Sequence, residues 1–287
     1  MAHTAYRDGW CYSADDLRLH FRDYAGDPGR KPVLCIPGLT RNARDFEGVA
    51  ARLAGTRRVV AVDLRGRGGS DFAADPLSYV PAVYLQDLMV LIAAERLGPV
   101  VVIGTSLGGL LAMLMAATTP ALLRGVLLND VGPVLNPEGM ARIRAYVGRD
   151  VRFASWEDAA EAIAANHAGG FPDYTAADWS VLARRLCREG QDGRILFDYD
   201  PAIAEPFTLP QPAIDLWPAF DGLAGLPATL VRGRLSDVLS AETAAAMAAR
   251  MPAIERVTLP RIGYAPTLEE PESVAAIDRL LATVDHE

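Results

Sequence analysis

The sequence predicts an α/β fold: a mostly parallel central sheet flanked by helices, with a helical cap insertion. Three observations carry this. Short, continuously apolar runs at Val33–Ile36, Val59–Val62 and 100–103, and a further short strand pattern at 229–231, alternate with segments of helical spacing. That alternation is the pattern of β-α units, and strands apolar at every position fit a sheet covered on both faces. The run at 100–103 leads directly into Gly104-Thr105-Ser106-Leu107-Gly108, a sharp strand-to-helix turn. Between residues 134 and 217 the pattern breaks, which reads as an inserted unit.

The elements follow in order. Residues 6–24 read as a hairpin, with an Asp15-Asp16 turn and period-two alternation at Leu17, Leu19 and Phe21. Val33–Ile36 is a buried strand that opens at Pro37-Gly38 into a loop, and 46–53 has helical spacing. Val59–Val62 is the next buried strand and ends at Asp63. Residues 83–97 form a long amphipathic helix stopped by Gly98-Pro99. The helix Leu107–Thr118 is apolar nearly all round and therefore buried. Residues 126–128 make another strand. The stretch 134–217, with Trp156, Trp179 and Trp217, reads as several helices and then an irregular return rich in proline (Pro201, Pro206, Pro210, Pro212), with no clear buried strand. A helix at Ala241–Arg250, a strand at 256–259 and a C-terminal helix at 272–284 complete the pattern. The expected organisation is a core of residues 1–133 and 218–287 and a cap of residues 134–217.

With 51% hydrophobic and 22% charged residues, the chain has the balance of a water-soluble globular protein. A net charge of -8 argues against nucleic acid and against anionic membrane as partners. Cys11, Cys35 and Cys187 are odd in number and lack short spacing, so neither a zinc site nor a disulfide framework is expected. No cofactor motif occurs. The first residues lack the apolar core of a secretory signal, and no apolar run approaches the ~20 residues that span a bilayer, so a cytoplasmic protein is expected.

The chemistry is concentrated in four places. At the 104–108 turn a strained backbone lifts the Ser106 hydroxyl above the sheet, and the glycines let helix and strand approach. The Leu107 amide at the helix N-terminus is set to face a developing oxyanion. In Pro37-Gly38-Leu39-Thr40-Arg41-Asn42 the Leu39 amide is the second candidate donor, although a plain turn with Asn42 as N-cap also fits. Arg41 either meets an anionic substrate or is solvated. Ser236-Asp237 follows a short strand, where a carboxylate can orient a general base. The rival is Asp130, which could equally cap its loop or line the pocket. Asp237 is favoured. The glycine-rich segment from Asp63 to Asp71 lacks a Walker lysine and reads as a turn bracing its neighbours.

Taken together, these segments and Gly263-Tyr264-Ala265-Pro266-Thr267-Leu268 resemble the α/β-hydrolase fold family over essentially the whole chain. Within it the chain looks most like capped bacterial esterases and lactonases, which carry Gly-His-Ala-Pro-x-Leu at the last site. The resemblance implies Ser106 as nucleophile, Asp237 as acid, the Leu39 and Leu107 amides as oxyanion hole, residues 134–217 as a lid, and a small apolar ester or lactone as substrate. It also implies a histidine at 264, where this chain has tyrosine. Tyrosine has a pKa of ~10, so roughly 0.1% is phenolate at neutral pH. Losing the base of a serine triad costs on the order of 10⁴ to 10⁶ in kcat. His167 lies in the cap and could overhang the pocket, although a helix-end position fits too; Trp156 is a further candidate substrate contact. Three readings follow: a serine hydrolase impaired at its base, a natural enzyme that uses Tyr264 in another way, or a hydrolase scaffold that binds a small molecule without turnover.

Overall fold

The computed structural model describes residues 5–209 and 214–286; His3, Pro210 and Pro212 lie outside them. Strands β1 (Arg7–Tyr12) and β2 (Arg18–Tyr24) form the expected antiparallel hairpin. Then β3 (Val33–Ile36), α1 (Glu47–Leu53), β4 (Val59–Val62), α2 (Pro81–Ala94), β5 (Val100–Thr105), α3 (Leu107–Thr118) and β6 (Leu123–Asn129) alternate. The chain next runs through α4 (Pro137–Tyr146), β7 (Arg152–Phe153), α5 (Trp156–His167), α6 (Ala176–Leu186), β8 (Cys187–Glu189), β9 (Ile195–Phe197) and α7 (Trp217–Asp221). It returns to the sheet with β10 (Ala228–Gly233), α8 (Ala241–Arg250), β11 (Glu255–Leu259) and α9 (Pro271–His286).

The main sheet has the order β1-β2-β4-β3-β5-β6-β10-β11. Only its hairpin edge is antiparallel; from β4 to β11 every pairing is parallel. Side chains alternate across this sheet into two apolar layers. Leu34, Ile36, Val60, Val62, Val100 and Val102 pack with Leu88 and Leu91 of α2 and Leu111 and Met115 of α3. Val33, Cys35, Val59, Ala61, Val101 and Ile103 pack with Val49 and Leu53 of α1 and Ile277 and Leu281 of α9. Burial on both faces explains why these strands contain almost no polar residue.

Two expectations need correction. Helix α2 ends at Ala94 rather than at 97, and Arg96, at φ 50°, and Gly98, at φ 62°, turn the chain away. The inserted region is not purely helical. Its strands β7, β9 and β8 form a separate three-stranded antiparallel sheet beside a small core of Ile163, Trp179, Leu182, Leu186 and Ile195. Strands of two and three residues are too short to show a period in sequence. The three cysteines are buried free thiols. No helix of the described residues is long and apolar enough to cross a membrane.

Candidate active site

The turn between β5 and α3 sets the site. Ser106 is the N-cap of α3 at φ 52° and ψ -114°, a left-handed backbone that costs on the order of 1–3 kcal/mol and persists only where its surroundings enforce it. The glycines on either side are that enforcement. A Cβ on Gly108 would lie 2.0 Å from the Ile36 carbonyl oxygen, and one on Gly104 would lie 2.5 Å from the Gly108 backbone. Only bare backbone lets α3 start this close to β3 and β5. The Ser106 amide donates to the Asn129 carbonyl (2.9 Å), and the Asn129 side chain donates to the Thr105 hydroxyl (3.0 Å) and the Pro266 carbonyl (2.9 Å). Buried Asn129 thus ties the serine turn to the loop that carries Tyr264.

The loop after β3 passes directly over the serine: a Cβ on Gly38 would lie 3.7 Å from Ser106 Cβ. Its Leu39 carbonyl accepts from Arg67 Nε (2.8 Å), and Arg67, itself fully buried, also reaches the Arg65 carbonyl (2.6 Å) and the Tyr84 hydroxyl (2.9 Å). Asp63 receives the Ala43 and Gly69 amides at 2.6 and 2.8 Å. The glycine-rich segment therefore braces the loop, as its sequence suggests. Among the described residues nothing accepts a hydrogen bond from the Leu39 or Leu107 amide. Both remain free to meet an anion at Ser106.

Tyr264 stands against the serine, and its hydroxyl donates to Ser106 Oγ. Burial, with Tyr146 close by, raises its pKa above that of ordinary tyrosine, outweighing the Ser106 hydrogen bond and the Arg41 charge. The group at the base position is thus a proton donor.

Asp237, the favoured acid, is paired with an arginine. Its carboxylate is gripped by the Arg142 guanidinium, from Nε to Oδ2 and from Nη2 to Oδ1 (2.8 Å), and its side chain is 39% exposed. No hydrogen bond joins it to Tyr264. Arg142, reaching from α4, also sits 5.9 Å from the centre of the Tyr264 ring. The carboxylate enclosed in this region is Asp130, at the end of β6, with φ 55° and no exposed surface. Neither of its oxygens has a partner of ordinary hydrogen-bond geometry among the described residues, although the Ser236 hydroxyl and the Gly233 amide approach. Burial pushes its pKa up to about 8. Its charge also contributes to the raised pKa of Tyr264. Asp130 is accordingly not part of the pocket wall, as a substrate contact would be.

A cavity of about 200 Å³ opens beside Ser106 and Tyr264, between the main sheet and the inserted helices. Arg41 and His167 line it, as do Tyr146, Arg149 and Tyr199, which nothing in the sequence singled out. Arg41 is held by Asp45, with Nη2 to Oδ1 at 2.9 Å. His167, the last residue of α5, faces the cavity with its ring 6.1 Å from Tyr146. Burial, reinforced by Arg41 and Arg142, lowers its pKa to about 4, so it is neutral at pH 7. Trp156 does not reach the cavity. Its ring stacks under the Arg184 guanidinium at 3.8 Å and packs on the small core of the insertion. Among the described residues no group of three or more His, Cys, Asp or Glu side chains is arranged to hold a metal ion.

Comparison with known proteins agrees with this architecture. Residues 33–277 match the model of the alpha/beta hydrolase family. A crystal structure of an alpha/beta hydrolase from Novosphingobium aromaticivorans is 55% identical in sequence, with a TM-score of 0.94 over 98% of this chain and 99% of that one. The 3-hydroxybutyrate-oligomer hydrolase of Cupriavidus necator is 39% identical over 276 residues, 92% of this chain and 93% of that protein. The 2-(acetamidomethylene)succinate hydrolase of Mesorhizobium japonicum is 28% identical over 244 residues, 85% of this chain and 84% of that protein.

Proposed function

The chain belongs to the alpha/beta hydrolase family, and on that premise we propose that it is a serine hydrolase of small carboxylic esters whose turnover is held back by Tyr264. One observation carries the reading. The Ser106 hydroxyl, a side chain at the base position and a buried, unpartnered carboxylate, Asp130, belong to one region, but the group at 264 can only give a proton. An imidazole there has two nitrogens. One accepts the serine proton to give a stable cation and the other donates to a carboxylate; a neutral phenol accepts hydrogen bonds but is too weak a base to take that proton. The unpaired Asp130 is what a missing imidazole N–H would leave behind.

In this mechanism Ser106 Oγ attacks the ester carbonyl. The Leu39 and Leu107 amides stabilise the tetrahedral oxyanion, and the bond to the alcohol oxygen breaks as that oxygen takes the proton lost by Ser106. Water then adds to the acyl carbonyl, releasing the acid and returning a proton to Ser106 Oγ; with tyrosine at 264 no base speeds either proton transfer. We assign the orienting acid to Asp130 rather than Asp237, because Arg142 already neutralises Asp237. Residues 134–217 act as the lid of the cavity. The likeness to a 3-hydroxybutyrate-oligomer hydrolase supports esters of short hydroxy acids as the substrate class.

The test is hydrolysis of p-nitrophenyl butyrate by the chain, by Tyr264→His and by Ser106→Ala. We expect Tyr264→His to gain at least ~10³-fold over the unaltered chain, in line with the effect of a missing base. If the histidine form stays at the Ser106→Ala rate on this ester and on 3-hydroxybutyrate oligomers, the reading is wrong and the scaffold serves binding or another reaction.

A further inference from the structure

A second cavity, of about 250 Å³, lies beside the first, and the two share a wall made of Arg149, Val151, Phe197 and Tyr199. Its remaining lining includes Arg152, Arg188 and Asp150. The cations of the two cavities differ in one respect. Arg41 is held by Asp45, Arg185 by Glu269 (2.5 Å), Arg188 by Asp198 (3.2 Å), and Arg152 by Asp192 (3.0 Å) and Asp150 (3.5 Å). Arg149 has no carboxylate partner among the described residues, and it lines both cavities.

A second observation points to a ligand at the same wall. Tyr199 is 4% exposed, and its hydroxyl is buried without a hydrogen-bond partner. The Gly148 amide, next in the chain to Arg149, approaches that hydroxyl without ordinary hydrogen-bond geometry. A buried hydroxyl left unpaired costs ~1–3 kcal/mol, so such a group is retained where something completes it. A guanidinium without a carboxylate partner and an unpaired phenolic O–H on one wall offer two donors to a carboxylate.

We propose that this wall binds the free carboxylate of the substrate, so that the esters turned over at Ser106 are hydroxy-acid chains ending in a carboxylate rather than neutral esters. Arg149 is the specificity-determining residue and Tyr199 its partner. The proposal rests on the ester-hydrolase reading for its chemistry, but the seat is testable without turnover. Ser106, Arg149 and Tyr199 line the same cavity, so a chain of more than one hydroxyacyl unit can lie with its scissile ester at Ser106 and its acid end at the Arg149–Tyr199 wall.

The experiment has two arms. In the first, binding of the linear 3-hydroxybutyrate trimer and of its methyl ester to the unaltered chain is measured by calorimetry and compared with Arg149→Gln. We expect the free acid to bind about five- to tenfold more tightly than the methyl ester, and Arg149→Gln to remove most of that preference, the effect expected of a charge-assisted pair open to solvent. Equal binding of acid and ester, or a preference unchanged in Arg149→Gln, overturns the seat. In the second arm, KM and kcat are measured in the Tyr264→His background. Arg149→Gln should raise KM for the trimer acid and leave its kcat, and the hydrolysis of p-nitrophenyl acetate, within twofold. A uniform loss on acid, methyl ester and p-nitrophenyl acetate would mean a structural role and overturn the proposal. A Tyr264→His form that hydrolyses no ester, while the calorimetric preference holds, sinks the hydrolase reading and leaves the seat standing.

Discussion

The cavity has two sides of different construction. On the sheet side, each group near Ser106 is fixed by buried neighbours: Gly108 lies against the Ile36 carbonyl, the Leu39 carbonyl is held by Arg67, and Asn129 bridges the serine turn and the 264–267 loop. On the inserted side the polar groups Tyr146, Arg149 and His167 come from helix ends and a turn, Tyr146 closing α4, Arg149 following it and His167 closing α5, beside the apolar Ile143, Ile163 and Leu182 from within helices. In the proposed mechanism the first side holds the reacting groups, and the second shapes the entrance to them. Substitutions on the sheet side should therefore act on kcat or on folding, and substitutions on the inserted side should act on KM and on substrate preference.

The sharpest break of this contrast concerns the two aspartates. In the Tyr264→His background, Asp130→Asn should lower kcat by about 10⁴, the size of effect seen when an orienting carboxylate is replaced by its amide. Asp237→Asn should cost less than about tenfold, because that carboxylate is spent on Arg142. Steady-state hydrolysis of one ester by the three proteins decides it. If Asp237→Asn is the damaging change, the acid belongs to the loop after β10 and the buried Asp130 needs another explanation.

Glycines give the next test, now on stability. Gly108→Val has to force a side chain into the β3 backbone, and we expect about 3 kcal/mol of destabilisation in urea. Gly169, in the short turn after α5, has open space around its Cβ position and no left-handed backbone. Gly169→Ala should stabilise by up to about 1 kcal/mol, because it restricts the unfolded chain without meeting anything in the folded one. Similar losses at both positions would mean that the inserted side is as tightly determined as the sheet side.

The same contrast accounts for what could be read from the sequence. Val33–Ile36 and Val59–Val62 are apolar at every position because both faces of the sheet are covered, and the serine turn is a local signal of five residues. Choosing between Asp130 and Asp237 was not a local problem. Each follows a strand, and what separates them is Arg142, 95 residues from Asp237, which takes up one carboxylate and leaves the other alone. Trp156, an aromatic residue in the insertion, reads as a substrate contact in the sequence, but Arg184 covers its ring. Tyr146, Arg149 and Tyr199 have no pattern of their own, and they come together at the cavity only once α4 and the segment after β9 have packed.

The smallest expected effect compares two histidines, one on each side. His20 of β2 is buried, with Nδ1 2.7 Å from Asp63 and Nε2 2.8 Å from Asp8. Burial works against its charge, but hydrogen bonds and attraction from Asp63 and then Asp8 outweigh it and raise its pKa. Asp63 also holds the Ala43 amide beside the loop after β3, so this clamp supports the sheet side. Between the ordinary histidine pKa of ~6.5 and its raised folded value, the folded chain binds more proton than the unfolded one. The stability His20 supplies is therefore full below pH ~6.5 and is lost as pH rises through the folded pKa. His167 has the opposite sign. With its pKa lowered to about 4, the unfolded chain binds more proton between there and ~6.5, and stability rises with pH across that window. Urea titrations from pH 4.5 to 9 on the unaltered chain, His20→Gln and His167→Gln separate the two. His20→Gln should flatten the fall above pH 6.5, and His167→Gln should flatten the rise below it, each by less than the ~1.4 kcal/mol per pH unit that one proton allows. If His167→Gln leaves the acid limb unchanged, that imidazole is solvated and the inserted side is looser around the cavity than the packing of α5 indicates.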